Sequence, residues 1–113
     1  MKRGDIFQAK LNPTEGSEQG GIRPVVVVSI DAINESSPVV IVVPLTDRKN
    51  KAKIYPSQIV LKAGEGRLPM ESVALGEQVR SISKTRLGNQ IGHLAPHSMA
   101  AIGAALKIAL DLP

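Results

Sequence analysis

The chain has 113 residues, 42% of them hydrophobic and 21% charged, with 14 Lys and Arg against 10 Asp and Glu for a formal net charge of +4. That is the length of one domain, 1–113, able to bury a core without staples, and its surplus of cations favours a polyanionic partner. There is no cysteine, which excludes disulfides, thiolate metal sites and thiol chemistry and fits a reducing cytoplasm.

The opening Met1-Lys2-Arg3-Gly4-Asp5 is charged and no apolar run follows it, so no signal peptide is expected. Residues 6–11 alternate: Phe7, Ala9 and Leu11 share one face, Gln8 and Lys10 the other, the period of a half-buried strand. Residues 12–24 hold three Gly and two Pro and read as a long loop, a length that usually signals function. Val25-Val26-Val27-Val28-Ser29-Ile30 reads as a strand buried on both faces. Residues 31–38, with Asn, Ser and Pro, read as a turn. A second buried strand spans 39–45 and ends at Thr46, before a basic loop over 47–53. A strand is expected over 54–61, a turn over 62–66, and a strand pattern over 71–83 interrupted at Gly76, where a bulge or close backbone approach is expected. The period then changes. Met99, Ile102, Leu106 and Leu110 recur at helical spacing behind Pro96, so residues 96–112 read as an amphipathic helix. The longest apolar runs, 25–28 and 39–43, are too short to cross a bilayer. The architecture expected is mainly β, a five- or six-stranded, mostly antiparallel small barrel or half-barrel with a C-terminal helix.

Three places carry possible chemistry. Gly20-Gly21 lets backbone N–H groups approach an anion, and Arg23, pinned by Pro24, stands at the mouth of a buried strand where it can fork onto a phosphate. The same stretch also reads as a mobile loop with a solvent-facing Arg. Thr46 has a hydroxyl to donate, or to spend on its own turn. Arg48, Lys49, Lys51 and Lys53 attract phosphates, and equally describe a solvated loop. His93 and His97 are the titratable candidates for acid–base work. Nothing local places either near Arg23. No His/Asp/Glu spacing suggests a metal site, and no Gly-Lys-Ser/Thr follows the Gly-rich loop. Only Phe7 and Tyr55 are aromatic, so nucleic-acid binding would lean on charge and hydrogen bonds rather than stacking.

Four segments together resemble the MazF/PemK (Kid) toxin family: Lys2-Arg3-Gly4-Asp5-Ile6-Phe7, Gly16-Ser17-Glu18-Gln19-Gly20-Gly21-Ile22-Arg23-Pro24-Val25, Pro44-Leu45-Thr46, and Glu77-Gln78-Val79-Arg80-Ser81-Ile82. They stand in the family's order and span nearly the whole chain. The resemblance implies a small SH3-like antiparallel β-barrel with an appended helix, the fold shared with CcdB toxins, assembled as a homodimer. It implies a metal-free, cofactor-free endoribonuclease of a type II toxin–antitoxin system. Such an enzyme cuts single-stranded RNA at short specific sequences by 2′-OH attack, leaving a 2′,3′-cyclic phosphate and a 5′-OH. The family's catalytic Arg and Thr match Arg23 and Thr46. RNA contacts are expected from Ser17, Glu18, Gln19, Gly20, Gly21, Arg48, Lys49, Lys51, Lys53, Glu77 and Gln78. The partners implied are RNA and a cognate MazE/PemI-like antitoxin with an acidic, disordered segment, in the cytoplasm and away from membranes. Two other readings are a CcdB-like toxin that binds gyrase and a non-catalytic basic barrel that binds nucleic acid. Arg23 and Thr46 at the family positions argue against the first, and the second predicts salt-sensitive RNA binding with no cyclic-phosphate product.

Overall fold

The valine-rich segments make the middle of the sheet, because β-branched side chains suit a pleat covered on both faces. In the computed structural model, which describes residues 1–113, the order is β1 (Asp5–Lys10), β2 (Ile22–Val27), α1 (Asp31–Ser36), β3 (Val39–Asp47), β4 (Gln58–Leu61), β5 (Ser72–Leu75), β6 (Arg80–Ser83), β7 (Leu87–His93) and α2 (Pro96–Leu110). Neighbours run β4-β5-β3-β2-β1-β7, with β6 also on β3. Every pairing is antiparallel. The ladder does not close, since β4 and β7 remain edges.

Successive valines of β2 point into different cores, as a period of two requires. Val26 joins Ile6, Val43, Leu45 and Leu61, a cluster that α2 caps with Met99 and Ile102. Val25 and Val27 join Ala9, Leu11, Val40, Val42 and Ile82, with Phe7 and Leu87 packed alongside. No residue of α2 enters that second cluster. Strand residues and Leu11, just past β1, enclose it, so the sheet curls around it in the manner of a half-barrel.

β3 organises the rest. Its first half pairs with β6, from Val39 opposite Ser83 to Val42 opposite Arg80. Its second half pairs with β5, from Leu45 opposite Ala74 to Asp47 opposite Ser72. The expected interruption at Gly76 is a 3₁₀ turn, Gly76–Gln78, between two strands on one edge of β3. Gly76 is needed there, because a Cβ would run into the Ser57 carbonyl.

Several boundaries differ from the sequence reading. β2 starts at Ile22, inside the expected loop, because its ladder with β1 extends to the Lys10–Ile22 pair. The expected turn at 31–38 contains the short helix α1. Its Asn34 is buried and hydrogen-bonds the Ser29 hydroxyl, while its Nδ2 donates to the Ser29 carbonyl at 2.9 Å. The strand expected over 54–61 shrinks to Gln58–Leu61, since the Gln58 side chain turns back to accept from the Tyr55 N–H at 3.2 Å. β7 has no counterpart in the sequence reading and brings the strands to seven. It is an exposed edge strand whose Gly88, Asn89, Gln90 and Gly92 break any apolar alternation. α2 begins at Pro96 as expected but stops at Leu110, where Asp111 turns left-handed at φ 53°. No helix is long and apolar enough to cross a membrane.

Candidate active site

Strand pairing brings the two proposed catalytic residues together. The β2–β3 ladder ends with Val25 opposite Pro44, and Arg23 and Thr46 lie two residues beyond that pair on their respective strands. Both line one cavity of about 330 Å³, which Gln8, Asp47, Asn50, Met70 and Ser72 also help to form. Arg23 is half-buried, and its Nε donates to the Gly20 carbonyl at 3.1 Å. Its terminal nitrogens make no hydrogen bond within the chain. Thr46 is only 4% exposed. Its Oγ1 accepts from Asn50 Nδ2 at 3.3 Å, which leaves the hydroxyl proton unspent. Spare guanidinium N–H groups and a spare O–H at one cavity are donors for an anion with several oxygens. Gln8 and Asn50 carried no signal in the sequence, since only the strand register and the turn after β3 bring them here.

The other residues expected to touch RNA are arranged around this cavity rather than in it. Of the loop residues, Gly20 alone holds Arg23, and Gly21 adopts φ 72°, where any side chain would strain the backbone. Glu18 accepts from the Glu15 N–H at 2.8 Å and braces its own loop. Ser17, Gln19, Lys51, Glu77 and Gln78 line a second cavity of about 730 Å³ with Tyr55. Glu77 there is a brace: its carboxylate accepts from Ser57 Oγ at 2.9 Å and Gln58 Nε2 at 2.8 Å. Gln78 accepts from the Gln19 N–H at 2.7 Å and donates to the Ser17 carbonyl at 3.3 Å. In the basic loop, Arg48 is turned inward, donating to the Lys51 carbonyl at 2.5 Å with Glu71 at 4.0 Å. Lys49 is exposed, 3.7 Å from Asp47. Lys51 and Lys53 lie 6.0 and 5.2 Å from the centre of the Tyr55 ring. None of these four cations lines the Arg23–Thr46 cavity.

A family model described as "PemK-like, MazF-like toxin of type II toxin-antitoxin system" matches residues 2–110. The chain belongs to that family. It is 44% identical over 112 residues to the endoribonuclease MazF of Staphylococcus saprophyticus, covering 99% of this chain and 92% of that one. Its fold matches MazF from Deinococcus radiodurans with a TM-score of 0.83 and 28% identity, over 98% and 96% of the two chains. It also matches a mycobacterial endoribonuclease solved in complex with its cognate antitoxin, with a TM-score of 0.82 and 25% identity, over 100% and 97%.

In this MazF-like toxin the histidines stand apart from the cavity. His93, at the end of β7, places Nδ1 2.6 Å from Asp5 Oδ1. Burial pushes the Asp5 carboxyl up, but hydrogen bonds from His93 and the Lys2 N–H, with the charges of His93 and the N-terminus, hold it below its ordinary value. His97, in the first turn of α2, lies 3.8 Å from Glu65. The Ser98 hydroxyl and the Lys62 N–H both donate to Glu65 and lower its pKa against a smaller cost of burial, with help from the charges of His97 and Lys62. Neither histidine lines the Arg23–Thr46 cavity. No three His, Asp or Glu side chains gather anywhere in the chain in a way that could hold a metal ion.

Proposed function

We propose that the cavity of Arg23 and Thr46 is where this chain, an endoribonuclease toxin, cleaves single-stranded RNA. One observation carries the proposal: a guanidinium with free terminal nitrogens and a threonine with a free hydroxyl proton share a cavity open to solvent. In the reaction the RNA 2′-oxygen bonds to the adjacent phosphorus and releases its proton. The bond from phosphorus to the 5′-oxygen breaks, and that oxygen takes up a proton. The products are a 2′,3′-cyclic phosphate and a 5′-OH. Negative charge builds on the non-bridging oxygens, and fixed donors in place beforehand stabilise it. Guanidinium stays protonated in proteins, so Arg23 serves as an electrostatic clamp and hydrogen-bond donor rather than a base, and the protons are exchanged with solvent at the open cavity.

No step is assigned to a metal or cofactor. Cleavage of a short RNA in EDTA, with the cyclic phosphate detected by mass spectrometry, is the expected result. Activity that vanishes in EDTA and returns with Mg²⁺ overturns the mechanism.

The toxin is proposed to work in the cytoplasm as a homodimer, which light scattering at micromolar concentration tests. Its inhibitor is proposed to be a cognate antitoxin, as the mycobacterial neighbour has, and an acidic, disordered segment of it is proposed to cover the RNA-binding surface. Lys49, Lys51 and Lys53 beside the cavities give such a segment its electrostatic target. A non-cleavable RNA should therefore weaken antitoxin binding. Simultaneous binding of both at saturation overturns this account of inhibition.

A further inference from the structure

We infer that Gln78 is a positioning residue for cleavage, acting through the loop before β2 on the guanidinium of Arg23. The inference rests on the proposed function. The path is short and continuous. Gln78 Nε2 donates to the Ser17 carbonyl at 3.3 Å, and Gln78 Oε1 accepts from the Gln19 N–H at 2.7 Å. Gly20, which follows Gln19, gives its carbonyl to Arg23 Nε at 3.1 Å. Apart from the Thr14 hydroxyl on nearby Asn12, only these three hydrogen bonds join residues 13–20 to the rest of the protein. The loop is therefore a bridge with Gln78 at one end and Arg23 at the other.

The Gln78 end is firmly held. The turn Gly76–Gln78 is tied to the start of β4 and the residue before it, by the Gly76 N–H on the Ser57 carbonyl at 3.0 Å and by the Glu77 carboxylate on Ser57 and Gln58. β5 and β6, on either side, are both laddered to β3, which carries Thr46. The clamp therefore refers the position of Arg23 to the same strand that positions Thr46. Glutamine suits this task, because one amide supplies both the acceptor for an N–H and the donor for a C=O. An arginine side chain has many rotamers, and fixing its Nε narrows them before substrate arrives. Both polar atoms of Gln78 are engaged with the loop, which distinguishes it from a side chain waiting for a base.

The test is single-turnover cleavage of a short RNA by four proteins: the parent, Gln78→Ala, Arg23→Ala and the double variant. Gln78→Ala should slow cleavage about ten-fold, with KM within about two-fold of the parent. In the Arg23→Ala background, Gln78→Ala should cost nothing more, because there is no guanidinium left to aim. Gln78→Glu, which keeps the acceptor but loses the donor to Ser17, should fall between parent and Gln78→Ala. Amide hydrogen exchange at Gln19 should quicken in both Gln78 variants. Losses that multiply in the double variant, or a raised KM with an unchanged rate, would make Gln78 a direct RNA contact and overturn the inference. So would a parent-like rate for Gln78→Ala. A parent-like rate for Arg23→Ala instead overturns the active-site assignment itself, and the inference with it.

Discussion

Two polar clusters in this molecule use the same chemical groups to opposite ends. At Asp5 and Glu65 each carboxylate finds its hydrogen-bond partners within the chain. Asp5 accepts from the Lys2 N–H at 2.8 Å and pairs with His93, while Glu65 accepts from the Lys62 N–H at 2.7 Å and from Ser98 Oγ at 2.5 Å. Around Arg23 and Thr46, each side chain spends one bond on holding its place and keeps others free. Buried polar groups must find partners for the fold to be stable. A cluster whose partners are all internal therefore describes architecture. A cluster with donors left over at a cavity describes a ligand. By this criterion the carboxylates of Asp5 and Glu65 belong to the fold, and the histidines beside them lie off the Arg23–Thr46 cavity, although imidazole is the side chain best suited to moving protons near neutral pH.

The comparison breaks first at Arg23. Arg23→Ala should lower kcat/KM about 10²–10³-fold, the usual cost of removing a fixed transition-state donor. The urea midpoint should stay near that of the parent, because the side chain is only half-buried and its one bond goes to a loop. Near-parent cleavage by the folded variant would remove the distinction between the clusters.

Thr46→Val is a finer cut. Valine keeps the shape of this buried residue and deletes only the hydroxyl. The expected loss is about ten-fold in kcat/KM, the order of one hydrogen bond, with little change in stability. A variant that cleaves normally would show that the free O–H proton faces nothing of consequence. His93→Gln is the converse: cleavage should stay within about two-fold of the parent, since His93 orders Asp5 and lies off the cavity. A collapse of cleavage in a folded His93→Gln protein would place catalysis in the wrong cluster.

How much of this could be read in the sequence follows from what each feature depends on. The runs Val25–Val28 and Val39–Val43 announce doubly covered strands, because burial is written in side-chain type. Arg23 and Thr46 stand out by their place at strand ends and by family resemblance. Their shared cavity does not, because it depends on the pairing of Val25 with Pro44. α1 is hidden because Asn34 and Ser29, each a turn former locally, satisfy one another in space. β7 is hidden because an edge strand with Gly88 and Gly92 has no apolar alternation to betray it. The basic run shows charge without direction, and only the structure turns Arg48 toward Glu71 and leaves Lys49 in solvent. The Gln78 clamp joins residues 59 and 61 positions apart, and no local pattern encodes a contact of that range.

The smallest effect expected is on acid stability, and it probes the Asp5 network alone. The Asp5 carboxyl titrates below its ordinary value of 3.8 in the folded chain. Near that pH the unfolded chain holds the proton more tightly than the folded one, so stability must fall as pH falls. The contribution of the Asp5 network is full well above pH 3.8, begins to fade as the unfolded carboxyl takes up its proton, and is lost once pH drops through the lower folded value. Asp5→Asn cannot titrate at this position. Its urea midpoint should lie below the parent's at pH 6, and the gap should narrow steadily as pH is brought down to 3. Cleavage by Asp5→Asn at pH 7, measured where the protein is folded, should match the parent. A gap that stays constant from pH 6 to pH 3 would mean that the Asp5 charge contributes nothing to the fold, and that the exposed imidazole of His93 beside it is free for some other purpose.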